Sequence, residues 1–387
     1  MSGVIATRHS ALGTRHPAPG TRNPALPAGG FVGFKRAHAA WGGVKTYKVG
    51  ILGATGMVGQ RFMALLDGHP WFKVTELVAS ERSAGKTYRE AAPWVLDADP
   101  PAWAADKVVK QATDDLDVDL VFSAIPAGTA GPVETELAKR GIHVFTNARD
   151  HRWDADVPLL LPEVNPDHLA LVDRQKTPGK IVTNGNCSTI ALMMSLAPLH
   201  QAFGAKRVFV TTYQALSGAG YPGVPSLAIH GNIVPHIGGE EEKIERETTK
   251  FLGKLGPNGV ELANVGVSAT CVRVAVADGH TCAVHAEFER PPTPEEAKRV
   301  LSEWRSVPQK LKLPSAPQRP VHVREEPDRP QPRKDVGTER GMAATVGRVR
   351  KDNLFHLRWV VCASNTIRGA AGSNVLGAEL FVAEKRI

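Results

Sequence analysis

Near residue 48 the chain runs from a buried-strand pattern, Lys48-Val-Gly-Ile-Leu52, through Gly53-Ala-Thr-Gly56-Met-Val-Gly59 into the helical stretch Gln60-Arg-Phe-Met-Ala-Leu-Leu66. Glycines at this spacing allow a tight turn and let backbone N–H groups approach a pyrophosphate at the helix N-terminus. The pattern constrains the chain to strand–helix–strand crossovers, and so to a mostly parallel sheet. A tight turn in some other α/β protein would look similar, so the next strand has to be read with it. That strand is Val74-Thr-Glu-Leu-Val-Ala79, followed by Ser80-Glu81-Arg82-Ser83-Ala84-Gly85-Lys86. Glu81 keeps NAD open, because a carboxylate there binds ribose hydroxyls; Arg82, Ser83 and Lys86 suit a 2′-phosphate and favour NADP. Asp117-Val-Asp-Leu-Val-Phe-Ser-Ala124 is another strand, and Ile125-Pro126-Ala-Gly128 is the turn expected beside the cofactor. Helix 133–140, strand 143–146 and the basic loop Asn147-Ala-Arg149-Asp-His-Arg152 continue the alternation.

A chain of 387 residues suggests two or three domains, and 42% apolar residues are ample for a large core. Cys187, Cys271, Cys282 and Cys362 show no CxxC pairing, which argues for a reducing compartment and against a structural zinc site. No apolar run reaches membrane-spanning length. The net charge of +8 invites a nucleic-acid reading, but residues 1–43 hold Arg8, Arg15, Arg22, Lys35 and Arg36 with no acidic residue. Without those five the balance is +3. Residues 7–27 repeat every seven residues, yet Pro and Gly exclude a coiled coil. This leader is expected to be disordered, and to be translated sequence upstream of a true start near Val44.

Ile181-Val-Thr-Asn-Gly-Asn-Cys187-Ser-Thr-Ile190 places a cysteine where a loop enters a strongly apolar helix. The partial positive charge of a helix N-terminus favours a thiolate, which is a nucleophile for acyl groups. The bland alternative is a small buried hydrophobe. Later stretches bear on the choice. Strand 207–214 ends in Gln214, and the loop Ser217-Gly218-Ala-Gly220 follows. Gly238-Gly-Glu240-Glu-Glu-Lys243 starts an acidic helix in which Glu240 and Lys243 share a face, though a solvated face reads the same way. Two alternating strands flank Asp278-Gly279 and carry Arg273 and His280. Arg273 suits a two-point grip on a carboxylate, and His280 suits acid–base work, unless both are exposed strand residues. Residues 314–333 are Pro-rich and read as an extended crossing or subunit-contact segment; 344–350 and 354–362 pair as a hairpin; 369–380 is a closing helix.

Taken in order, the dinucleotide loop, NGNCS, QALSGAG, GGEEEK and the R-x6-H pair resemble aspartate-β-semialdehyde dehydrogenase, particularly its archaeal and fungal-like branch, over about residues 45–387. The resemblance implies a Rossmann-type parallel-sheet NADP domain plus an α+β catalytic and dimerisation domain of the glyceraldehyde-3-phosphate-dehydrogenase kind. It implies domains at 44–183 plus 369–387 and at 184–368. Catalysis would fall to Cys187 as nucleophile, His280 as acid–base group and Gln214 as an orienting residue. Arg273 and Glu240 would hold the substrate carboxylate and amino group and Lys243 its phosphate, with Asn147 and Arg152 also on the substrate side. Gly53, Thr55, Gly56, Met57, Val58, Arg82, Ser83, Ser123, Ser217, Gly218, and Asn365 or Asn374 would contact NADP. The implied reaction is NADPH-dependent reduction of L-aspartyl-4-phosphate to L-aspartate-4-semialdehyde through a Cys thioester, in lysine, threonine, methionine and isoleucine biosynthesis. The oxyanion donors would be backbone N–H groups at the start of the Ser188 helix. A cytoplasmic homodimer or homotetramer without metal, nucleic acid or membrane partner is expected. Cys282 stands where an acidic residue is expected, and the leader has no family counterpart. Malonyl- or succinyl-CoA reductase of the same fold is the nearest rival, and a non-catalytic NADP-sensing protein a more distant one.

Overall fold

The computed structural model describes residues 45–387; the leader expected to be disordered lies outside them. Six strands form the first sheet: β1 Tyr47–Leu52, β2 Phe72–Val78, β3 Val109–Lys110, β4 Leu120–Ser123, β5 His143–Thr146 and β6 Ile181–Thr183. All pair in parallel, in the order β3-β2-β1-β4-β5-β6. That order reverses at β1, and ligands of such sheets bind beyond the carboxyl ends of the strands at this switch point. Val49, Ile51 and Leu52 of β1 are fully buried, as a central parallel strand requires.

Ala205–Gln214 is β7. Two short strands, β8 Lys254–Gly256 and β9 Gly259–Glu261, form a small ribbon of their own. β10 Gly266–Arg273, β11 His280–Phe288, β12 Val321–Arg324, β13 Ala344–Lys351 and β14 Leu357–Ala363 join β7 in a mixed sheet ordered β10-β7-β11-β14-β13-β12. The strands carrying Arg273 and His280 are not a hairpin: β7 lies between them, parallel to β10 and antiparallel to β11. The Pro-rich stretch supplies β12, an edge strand parallel to β13, where few ladder N–H groups are needed.

The helix Cys187–Phe203 is apolar all round and buried along nearly its whole length, as a helix without a polar face must be. It packs into the core of the second sheet, with Val208, Val210, Cys282 and Val284. The other face of that sheet stays open and exposes Phe209 and Tyr213. At the C-terminus a single π-turn, Ile367–Ala371, leads into the helix Gly372–Ala383, which packs back into the core of the first sheet with Phe122 and Phe145. Among the described residues, no helix is long and apolar enough to cross a membrane.

Candidate active site

Three strand ends meet at one edge of the second sheet. Gln214 closes β7 and Arg273, its register partner, closes β10, while His280 opens the antiparallel β11. Inward-facing positions alternate along each strand, so both Gln214 and His280 turn toward the cysteine helix. Cys187 is the first residue of that helix. Its Sγ lies 3.2 Å from His280 Nε2.

The hydrogen bonds fix which imidazole nitrogen carries the proton. His280 Nδ1 accepts the backbone N–H of Ala215 at 3.1 Å. A neutral ring whose Nδ1 accepts must hold its proton on Nε2, so Nε2–H points at the sulfur. Burial, then Arg273, pushes His280 down to about 3, so the ring is neutral. Only an edge of Cys187 reaches the cleft. Burial, and then the Glu240 carboxylate, pushes its thiol up to about 12, against the opposing pull of Arg273, Arg152 and the Ser188 N–H. The expectation that the helix N-terminus lowers this pKa is therefore corrected for the unliganded protein. Burial and a carboxylate outweigh a partial charge that acts only over the first turn. Cys271, Cys282 and Cys362 are also pushed up by burial and sit in the core as inert thiols.

Glu240 ties one side of the cleft together. Its Oε2 accepts from Gln214 Nε2 at 3.2 Å and from Asn186 Nδ2 at 2.8 Å, while Oε1 pairs with Lys243 Nζ at 2.6 Å. Burial works to raise its carboxyl, but Lys243, Asn186 and Gln214 outweigh it and hold the carboxyl below its usual value. Arg273 Nη1 donates to the Ala215 carbonyl at 2.7 Å. Arg152 donates to Asn147 O at 2.7 Å, and Asn147 Oδ1 accepts from Asn184 Nδ2 at 3.1 Å. A cleft of about 490 Å³ brings these groups together; Cys187, Gln214, Glu240, Lys243, Arg273, Arg152 and Asn147 line it along with Val58, Ser217, Gly218 and Asn365. A Cβ at Gly369 would fall 2.8 Å from Cys187 Cβ, so only glycine lets the closing segment approach the sulfur.

Some expected residues are placed differently. Ser188 and Thr189 N–H, the expected oxyanion donors, are both accepted by Asn186 Oδ1, at 2.9 and 3.2 Å. The Ser123 side chain is fully buried and gives its hydroxyl to Glu134 Oε1 at 2.6 Å. Asn365 spends its side chain on Gly279 N–H and Ser217. Asn374 is buried in the closing helix, with no partner for Nδ2 among the described residues. Two residues that the sequence does not single out are Asn186, just before the cysteine, and Glu247, further along the acidic helix. Glu247 sits seven residues after Glu240, on the same helical face, and that spacing was the available signal.

The glycine turn fits a dinucleotide. The helix Met57–Leu66 begins with no side-chain cap and no acidic residue in its first turn, leaving its amide end for an anion. A Cβ at Gly59 would fall 2.2 Å from Gly53 O, so helix and turn pack backbone to backbone. Beyond β2, Arg82 is exposed and engages no partner among the described residues, while Ser83 is buried. Gly53, Thr55, Gly56 and Met57 lie in this turn, and Val58 links it to the cleft around Cys187.

A dinucleotide turn opening onto a cysteine–imidazole pair defines the class: a dinucleotide-dependent oxidoreductase. Residues 48–172 match the family described as semialdehyde dehydrogenase, NAD binding domain, and residues 196–368 the family described as semialdehyde dehydrogenase, dimerisation domain. Aspartate-semialdehyde dehydrogenase of Archaeoglobus fulgidus is 50% identical over 88% of this chain and 99% of its own length, and that of Methanothermobacter thermautotrophicus 52% identical over 86% and 98%. The structure of the Candida albicans aspartate semialdehyde dehydrogenase with NADP superposes with a TM-score of 0.83 at 41% identity, covering 88% of this chain and all of that one. The chain belongs to the aspartate-semialdehyde dehydrogenases.

Proposed function

We propose that the cleft around Cys187 carries out the NADPH-dependent reductive dephosphorylation of L-aspartyl-4-phosphate to L-aspartate-4-semialdehyde, the step of amino-acid biosynthesis that the family performs. The observation that carries the assignment of roles is the 3.2 Å approach of Cys187 Sγ to His280 Nε2, inside a cleft also lined by Gln214, Glu240 and Arg273. Arg273 takes the substrate carboxylate and Glu240 its amino group. The acyl carbon is then left beside the sulfur, and the phosphate faces Lys243 and Arg152. Cys187 attacks the acyl carbon, the C–O bond to phosphate breaks, and the sulfur's proton leaves with the departing hydrogen phosphate. When bound, NADPH supplies the hydride that reduces the resulting thioester. His280 Nε2–H hydrogen-bonds to the oxygen that becomes negative as the carbon is reduced; the C–S bond then breaks to give the aldehyde and a Cys187 thiolate, which takes its proton back from solvent.

The uncapped turn Gly53–Gly59, with Arg82 and Ser83 beyond β2, holds NADP, and Ser217, Gly218 and Asn365, which line the cleft, border its nicotinamide side; of Asn365 and Asn374 the cleft favours the first. Packing of the closing helix into the first core supports a cofactor domain of 44–183 plus 369–387 and a catalytic domain of 184–368. Subunits pair through the open face of the second sheet, as a dimer or tetramer, and the four free cysteines suit the cytoplasm. The test is phosphate- or arsenate-dependent oxidation of aspartate semialdehyde with NADP and with NAD, beside a malonyl-CoA reduction control. Cys187→Ala should abolish turnover with NADP affinity kept; appreciable turnover in that variant refutes the role of the sulfur.

A further inference from the structure

The acidic helix Glu240–Phe251 sends two carboxylates, two turns apart on one face, to a single residue. Glu240 Oε2 accepts from the side chain of Asn186, and Glu247 Oε2 accepts the backbone N–H of Asn186 at 2.7 Å. Asn186 in turn caps the cysteine helix with Oδ1, and its carbonyl accepts Ile190 N–H at 2.9 Å. Every polar group of the residue before Cys187 is therefore committed. The second oxygen of Glu247 is committed as well: Oε1 accepts from Arg152 Nη1 at 2.6 Å. This ion pair is buried, with side chains 6% and 2% exposed. Arg152 lines the reaction cleft, and its Nε is buried with no partner among the described residues.

We infer that Glu247 is a positioning residue for the phosphate half of the reaction. One oxygen holds the Arg152 guanidinium against the cleft, and the other pins the turn that sets Cys187. The inference rests on the reading of Arg152 as a substrate-side group. A carboxylate suits both duties because it accepts at two oxygens and carries the charge that a buried guanidinium needs. It also offsets the charge of Arg152, as Glu240 offsets Lys243. Phosphate then meets directed donors without an excess of cationic charge, which favours its release as product.

Glu247→Gln separates the two duties. Its amide oxygen still accepts the Asn186 N–H, while its NH2 faces the guanidinium and displaces it. In the oxidative direction the KM for phosphate should rise on the order of ten- to a hundredfold, the effect of a positioning group moved by about an ångström. The NADP affinity should stay within about twofold of the parent, since the glycine turn at Gly53–Gly59 does not involve Arg152 placement. Glu247→Asp should recover part of the loss. In an Arg152→Gln background, Glu247→Gln should add little, because the pair acts as a unit. That double variant also buries no lone charge, so it reports even where Glu247→Gln alone fails to fold; a further rise in phosphate KM in that background overturns the proposal. If Arg152→Gln raises the phosphate KM but folded Glu247→Gln does not, the proposal falls and the reading of Arg152 stands. If Arg152→Gln leaves the phosphate KM unchanged, that reading falls first.

Discussion

Alkylation of the unliganded protein by iodoacetamide, followed against pH, measures the environment of Cys187 directly, since the other three cysteines are buried. An ordinary thiol titrates near 9.0, whereas burial and then Glu240 push Cys187 up to about 12. At pH 8 the first would be roughly one-tenth thiolate and the second roughly one part in ten thousand, so alkylation should run about a thousandfold slower than for an ordinary thiol. The rate should keep rising through pH 10 without a plateau. Glu240→Gln removes the largest charge opposing ionisation, so it should move the profile toward lower pH and speed the reaction at pH 8. The direction bears on mechanism, because a substrate amino group that neutralises Glu240 acts as the variant does and arms the sulfur only when substrate is seated. A plateau below pH 8 in the parent protein would refute the reasoning. It would mean that the helix N-terminus, which the sequence alone suggests, together with the two arginines outweighs burial.

Gly59→Ala places a Cβ 2.2 Å from Gly53 O and 2.7 Å from Ala54 Cα, and neither backbone can yield cheaply. Isothermal titration should show NADP affinity lowered by about tenfold or more, matching about 1–3 kcal/mol of strain in the turn, with Cys187 alkylation unchanged. Glu163 and Arg368 form an ion pair with no exposure on either side chain. Glu163→Gln leaves a lone buried guanidinium and should cost about 3–5 kcal/mol, read as a lower urea midpoint. Burial depresses His280 to about 3 and His143 to about 4. Both bind protons more readily when unfolded, so their stabilisation is complete above about pH 6.5 and is lost as pH falls. These two groups give a slope of roughly 2 kcal/mol per pH unit between pH 6 and 5, and His168 and His200, also lowered by burial, add to it, which urea midpoints would show; a flat profile there contradicts it. Glu134, raised by burial, works in the opposite sense at the acid end of that range.

What could be read from the sequence follows the range of the interactions involved. The strand–turn–helix at Gly53–Gly59 is local, and so is the i,i+3 pair Glu240–Lys243; both appear as expected. The R-x6-H spacing located Arg273 and His280 but not the insertion of β7 between their strands, because strand order depends on residues about 60 positions away. Ser123 fell at the end of the right strand, yet its hydroxyl went to Glu134, eleven residues on, since a buried hydroxyl takes the acceptor within reach. The thiol was misjudged for the same reason. Its helix position is local, whereas the carboxylate opposing its ionisation arrives from residue 240 and the packing around it comes from the second sheet. Glu247 is the clearest case. Its charge looks like surface until the fold brings it to Asn186, 61 residues back, and to Arg152, 95 residues back. The groups proposed to react were legible because their chemistry restricts the residue types that can serve. The groups that hold them in place were not, because a buried carboxylate and a solvated one are written with the same residue, and only the long-range contacts tell them apart.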